Sequence, residues 1–257
     1  MNNDPENPFS LKGQNIVITG ASSGLGRQCA IRCSCSGAGV IICGRNRARL
    51  EETISLMGTG EHAIIEADLE DYTAYEDLVN SVVTTFGNIN GFVHSAGTEL
   101  TLPLTSMKPK HYEKLFRINV ISGFEIAKLL IRKRAIAHTG ASIVFIASIM
   151  GALGQVGKIG YCSSKGAVIS GVKAMALELA SQNIRVNSIL PAVCKTKMAE
   201  ELFDNLTEEA QKQIIKMHPL GLGDPDDVAL AVVYLLSNAS RWVTGSELIV
   251  DGGYSAH

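Results

Sequence analysis

Short runs of β-branched and apolar residues alternate with longer segments of helical period along the whole chain. This alternation restricts the fold more than any single motif does. Strands are predicted at 15–19, 40–43, 62–66, 91–94, 142–146, 185–189 and 247–250. Helices are expected between them near 26–36, 47–57, 74–85, 110–134, 161–180 and 226–236. Strands separated by helices connect through right-handed crossovers, which gives a mostly parallel sheet covered on both faces. The expected class is therefore α/β, a single-domain Rossmann-like doubly wound sheet of seven strands.

No internal repeat or Pro- or Ser-rich linker divides the chain. One domain over residues 11–257, after a polar tail of residues 1–10, is the simplest organisation. Lys and Arg total 23 against 25 Asp and Glu, a net charge of −2, so no cationic surplus is available to hold a nucleic-acid backbone. No apolar run reaches the roughly 18 residues of a membrane span, and Met1-Asn2-Asn3-Asp4-Pro5-Glu6 lacks the features of a secretory leader. A cytoplasmic location with no membrane partner is expected. Cys29, Cys33, Cys35, Cys43, Cys162 and Cys194 include no C-x-x-C pair and read as free thiols. Cys29 and Cys33 share a helical face close to Cys35, so a metal site is open to them. Small buried packing residues are the simpler account, and no metal is expected.

The first strand runs into Thr19-Gly20-Ala21-Ser22-Ser23-Gly24-Leu25-Gly26, and a helix follows. Glycines there permit a tight turn and close backbone approach, while free N–H groups at the helix start attract a pyrophosphate. The pattern outlines a dinucleotide site, although an unliganded strand-to-helix turn has the same composition. Gly20-Ala21-Ser22-Ser23-Gly24 also satisfies G-x-S-x-G, which would make Ser22 a hydrolase nucleophile. Only one strand fits before it, whereas several precede that elbow in hydrolases. A triphosphate loop fails as well, because Gly26 is followed by Arg27 and Gln28. The second strand ends Cys43-Gly44-Arg45, with Gly44 where an acid would hold the ribose hydroxyls. The Arg45 guanidinium suits a ribose 2′-phosphate and favours NADPH over NADH; a solvated charge opening the next helix is the alternative.

Ser148 follows the fifth strand, and Tyr161 and Lys165, four residues apart on a predicted helix, project from one face. Tyr-x-x-x-Lys is a weak pattern alone and gains meaning from its surroundings. Each member has a plainer reading: Ser148 as a helix-initiating hydroxyl, Asn119 as a polar residue in a long helix, Tyr161 as a core-edge aromatic, Lys165 as a surface charge.

The glycine turn, Asp68 after the third strand, Asn119, Ser148, Tyr161-x-x-x-Lys165, Pro191 to Thr196 and Val250-Asp251-Gly252-Gly253 stand in one characteristic order. Over residues 11–254 the chain resembles the short-chain dehydrogenase/reductase family, and within it the bacterial 3-oxoacyl-(acyl-carrier-protein) reductases. The resemblance implies reduction of a ketone to a secondary alcohol with NADP(H) preferred and NAD(H) accepted. Tyr161 would donate the proton, its phenol acidified by Lys165 and the oxidised nicotinamide. Lys165 would also hold the ribose hydroxyls, Ser148 the carbonyl oxygen, and Asn119 a water leading to solvent. Asp68 would cap the adenine and Thr196 hold the carboxamide. Further cofactor contacts would come from Gly20, Ser22, Ser23, Gly24, Leu25, Gly26, Arg45, Leu69, Ala96, Gly97, Pro191 and Cys194. A nucleotide-binding regulator without catalysis is the alternative in a different class.

Two departures from the family pattern stand out. His94-Ser95-Ala96-Gly97 replaces Asn-Asn-Ala-Gly, and Pro191-Ala192 with Cys194 replaces Pro-Gly with Val or Ile. The segment 191–224 is expected to be a substrate lid, with Met198, Leu202, Phe203, Leu206, Ile214, Ile215 and Met217 as its apolar side. Such a lid suits an acyl chain, and a sugar, polyol or small ketone stays open. Arg132, Lys133 and Arg134 could meet an acidic carrier protein, but Leu177 stands where carrier-protein reductases use a second arginine. The resemblance also implies a homotetramer, with the 110–134 and 161–180 helices pairing between subunits.

Overall fold

The computed structural model describes residues 7–256. Its strands are β1 (Asn15–Thr19), β2 (Gly39–Gly44), β3 (His62–Glu66), β4 (Gly91–His94), β5 (Ala141–Ile146), β6 (Ile184–Pro191) and β7 (Glu247–Val250). They form one sheet in the order β3-β2-β1-β4-β5-β6-β7, and every neighbouring pair is parallel. Strand order reverses between β1 and β4, so the connections leaving their carboxyl ends diverge and open a crevice.

The helices are α1 (Gly24–Cys35), α2 (Arg47–Leu56), α3 (Ala74–Phe86), α4 (Pro109–Phe116), α5 (Ser122–Arg132), α6 (Ile159–Leu179), α7 (Lys197–Phe203), α8 (Glu208–Lys216) and α9 (Pro225–Leu236). Alternation along each strand divides the apolar side chains between two cores. Ile16, Ile18, Val40 and Ile42 pack with Cys29 and Cys33 of α1 and Val228 and Val232 of α9. Val17, Ile41, Phe92 and Phe145 pack on the opposite face with residues of α3, α5 and α6, among them Val82, Ile126 and Val168. Both faces are covered, which is why the strands read as nearly continuous apolar runs. Arg32 and Gln28 of α1 both donate to Asp226 of α9, clamping the first of these layers.

The single helix expected at 110–134 is instead two helices. Between α4 and α5 lies a π-helical turn, Arg117–Ile121, in which the Ser122 N–H reaches back five residues to the Arg117 carbonyl. The 191–224 segment carries two short helices, each started by a threonine: the Thr196 and Thr207 hydroxyls accept from the N–H groups of Ala199 and Ala210. Ahead of the sheet, Phe9 lies 6.3 Å from the ring of Tyr234, and the Pro8 carbonyl accepts from the Ala239 N–H.

Candidate active site

A cleft of about 760 Å³ opens at the carboxyl ends of the strands. Its lining runs from Gly44, Arg45, Asp68 and Leu69, past Gly20, Ser22 to Gly26, and Ala96 to Gly97, to Ser148, Tyr161, Lys165, Pro191, Cys194 and Thr196. The structure thus brings together every residue expected to touch a cofactor. Asn119 is not part of the lining and sits one layer behind it.

The glycine turn is required by close backbone packing. A Cβ on Gly20, where φ is +69°, would lie 2.7 Å from the backbone of Ala96, and one on Gly26 would lie 2.3 Å from the Gly20 carbonyl oxygen. The turn therefore nests against the end of β4 in a way open to glycine alone. Ser23, the residue before α1, makes no side-chain cap, so no Ser23 hydroxyl occupies the first-turn N–H groups of α1, whose Gly24, Leu25 and Gly26 line the cleft. Uncapped amides at a helix start beside an open cleft fit the pyrophosphate of a dinucleotide.

At the outer end, the exposed Arg45 guanidinium lies 3.3 Å from Glu70 and 4.0 Å from Asp68, and Lys114 lies 3.4 Å from Glu70. Arg49, in the first turn of α2, also lines the cleft. Sequence reasoning missed Arg49 and Glu70. A second cation in the same 45–49 stretch of the sequence could have revealed the first, whereas Glu70 meets Arg45 only through the fold.

His94, which replaces an asparagine of the family pattern, is buried. Its Nδ1 is 2.9 Å from the Thr19 hydroxyl, and its Nε2 is 3.2 Å from the Ile118 carbonyl. A neutral ring satisfies both, with Nε2–H donating to the carbonyl and Nδ1 accepting from Thr19. Burial and the nearby Lys165 charge hold the imidazole pKa down at about 3, against the Ile118 contact, which would raise it. Where the family pattern has an asparagine, one imidazole thus ties β1, β4 and the π turn together.

Asn119 lies in the π turn and is also buried. Its Oδ1 accepts from the Thr98 N–H at 2.8 Å, and its Nδ2 donates to the Thr98 carbonyl and to the Ser164 hydroxyl, both at 3.0 Å. Both amide hydrogens are used, which leaves the second lone pair of Oδ1 as the side-chain site that can receive a water.

Ser148 leaves β5 in extended conformation, and its hydroxyl accepts from the Met150 N–H. The Lys165 ammonium donates to the Ile146 carbonyl at 2.9 Å and lies 5.8 Å from the centre of the Tyr161 ring. Burial lowers the Lys165 pKa to about 8. Burial pushes the Tyr161 phenol up to about 12, opposed by a hydrogen bond from Ser148 and reinforced by Glu99. The expected acidification of Tyr161 by Lys165 is therefore not present in the protein alone: desolvation of the phenolate outweighs the neighbouring hydroxyl.

Of the apolar residues expected on the 191–224 segment, Met198, Leu202, Ile214 and Met217 line the cleft, whereas Phe203, Leu206 and Ile215 do not. Burial, with Asp227 and Asp224 nearby, raises the Cys194 thiol to about 11, so it is a neutral wall of the site. All six cysteines are free thiols, and burial raises Cys29 and Cys43 to about 12. Among the described residues no group of three or more His, Cys, Asp or Glu could hold a metal, and no helix is long and apolar enough to cross a membrane. Lys133, one of the cations offered to a carrier, donates to Glu76 and Asn80, and Leu177 is exposed on α6.

Residues 20–255 match the family model described as enoyl-(acyl carrier protein) reductase. The chain belongs to the short-chain dehydrogenase/reductase family and is an NAD(P)-dependent oxidoreductase. It is 32% identical to the dehydrogenase/reductase SDR family member 4 of Caenorhabditis elegans, over 98% of this chain and 99% of that one. Identity to the 3-oxoacyl-(acyl-carrier-protein) reductase of Thermotoga maritima is 31%, over 95% of this chain and 98% of the other. Among solved structures, a protein of Agrobacterium tumefaciens described as a 2-deoxy-D-gluconate 3-dehydrogenase, with NADP bound, superposes with a TM-score of 0.87 at 29% identity, covering 98% of this chain and all of its own.

Proposed function

We propose that the chain reduces a ketone to a secondary alcohol with NADPH: ketone, NADPH and a proton give alcohol and NADP⁺. The observation that carries this reading is one continuous cleft with Arg45 and Arg49 at its outer end and Ser148, Tyr161 and Lys165 at its inner end. The glycine turn and uncapped α1 would hold the pyrophosphate, Arg45 and Arg49 the 2′-phosphate, Asp68 and Leu69 the adenine side, and Thr196 the carboxamide. When bound, the cofactor supplies the hydride. Ser148 donates to the substrate carbonyl oxygen, Tyr161 delivers its proton there, and Lys165 holds ribose hydroxyls and draws replacement protons from a water accepted by Asn119 Oδ1.

The apolar lid residues support a weakly polar substrate. The name of the Thermotoga relative makes 3-oxoacyl thioesters, free or carrier-bound, the first class to screen. A sugar, polyol or other hydroxylated ketone is the second reading, supported by an ion pair on the cleft wall, Lys158 with Glu99. The free thiols support a reducing, cytoplasmic setting, and exposed Leu177 and Ile249 support a homotetramer in which neighbouring subunits cover them. The test is NADPH oxidation, followed at about 340 nm, against acyl thioesters, sugars and small ketones. Turnover of one class supports the reading, and cofactor binding with no turnover of any would favour a non-catalytic regulator.

A further inference from the structure

Lys158 and Glu99 both line the inner cleft beside Tyr161, and neither takes part in the chemistry described above. The Lys158 side chain is only 9% exposed and that of Glu99 21%. The ammonium donates to Glu99 Oε1 at 2.8 Å and stands 5.9 Å from the centre of the Tyr161 ring. The Thr101 hydroxyl donates to the same oxygen at 2.6 Å. Among the described residues, these contacts leave two ammonium hydrogens of Lys158 and the whole of Glu99 Oε2 without hydrogen-bond partners.

A pair with Lys158 buried and Glu99 partly so contributes little as a simple staple, because desolvating the charges offsets most of their attraction. Its value lies in what it presents: a charged donor and a charged acceptor side by side, with no net charge, close to the proton donor. A hydroxyl complements both, accepting from Lys158 while donating to Glu99 Oε2. The carbonyl of a thioester can only accept and leaves the carboxylate unsatisfied. A carboxylate or phosphate is drawn by Lys158 and repelled by Glu99, so an anion gains no advantage.

We propose that Lys158 and Glu99 form a subsite for a hydroxyl carried by the substrate near its ketone. The subsite rests on the ketone-reductase reading and narrows it to hydroxyketones whose apolar remainder lies under Met198, Leu202, Ile214 and Met217.

The test compares 2-butanone, 4-hydroxy-2-butanone and the acetoacetyl thioester of N-acetylcysteamine as substrates with NADPH. The wild type is expected to favour the hydroxyketone over 2-butanone by about 10- to 100-fold in kcat/KM, the effect of hydrogen bonds to charged groups. In Lys158→Met, and in Lys158→Met with Glu99→Leu, that ratio should fall below about threefold through KM. The double variant also avoids a buried unpaired carboxylate, so it reports the subsite even where the single variant is unstable. Equal losses for both ketones, or a preference for the thioester that the variants leave intact, would overturn the subsite. Calorimetry of 1,3-butanediol and 2-butanol on Tyr161→Phe with NADP⁺ reads the same preference without turnover. A diol preference with no ketone reduced by the wild type keeps the subsite and removes the reductase reading; no diol preference beside active reduction does the reverse.

Discussion

The Lys165 ammonium donates to the Ile146 carbonyl at 2.9 Å, tying the N-terminal third of α6 to the end of β5, the strand that Ser148 follows. The contact places the ammonium beside Tyr161 in the protein alone, and burial brings its pKa down to about 8.

Lys165 is therefore expected to set an alkaline limb. Above pH of about 8, kcat/KM for carbonyl reduction should fall up to tenfold per pH unit as the ammonium is lost. Stability runs the other way: between about 8 and the unfolded value of 10.5 the unfolded chain binds more protons, so the Lys165 contribution to stability rises with pH. A flat kcat/KM profile to pH 10 would show that Lys165 does not carry the limb.

His94 predicts an acid limb in stability rather than in activity. Its folded pKa of about 3 lies below the unfolded 6.5, so its contribution is complete above pH 6.5 and is lost as pH falls towards 3. Denaturant midpoints measured across that range should show a shallower fall in His94→Asn. Thr19→Val, which removes the hydroxyl donating to Nδ1, should cost about 1–3 kcal/mol.

Gly20→Ala is expected to disrupt cofactor binding or folding altogether. The new methyl would meet the Ala96 backbone at 2.7 Å from a left-handed φ, so neither a rotamer change nor a side-chain shift relieves it. Cofactor titration by fluorescence, alongside thermal melting, reads both outcomes, and wild-type affinity in this variant would contradict the nesting of the turn.

Arg45→Ala and Arg49→Ala should each weaken NADPH by about tenfold, with NADH changed less than about threefold. Glu70→Gln releases Arg45 and Lys114 from a shared carboxylate and should tighten NADPH by up to about fivefold, since the pairs it breaks are exposed. Equal effects on both cofactors would remove the phosphate contact from the account.

Much of this was legible in the sequence because the physics is local. Strand period, the glycine turn and the Tyr161–Lys165 spacing each report a few neighbouring residues, and the observed β1, β3, β4 and β7 share the bounds read from them. What was hidden depends on distant partners. The π turn has no period of its own; it surrounds Asn119, which bonds Thr98 and Ser164 across the fold. His94 reads as a departure from a motif until Thr19 and Ile118 are seen around it. Lys158 and Glu99 are 59 positions apart, and only the crevice brings them together.

The most direct test of the central claim is NADPH turnover by Tyr161→Phe on the best ketone found. kcat is expected to fall by about 10²- to 10⁴-fold, the contribution of a positioned proton donor, with the NADPH dissociation constant changed less than about threefold. Turnover within a few-fold of the wild type, at unchanged cofactor affinity, would contradict that claim.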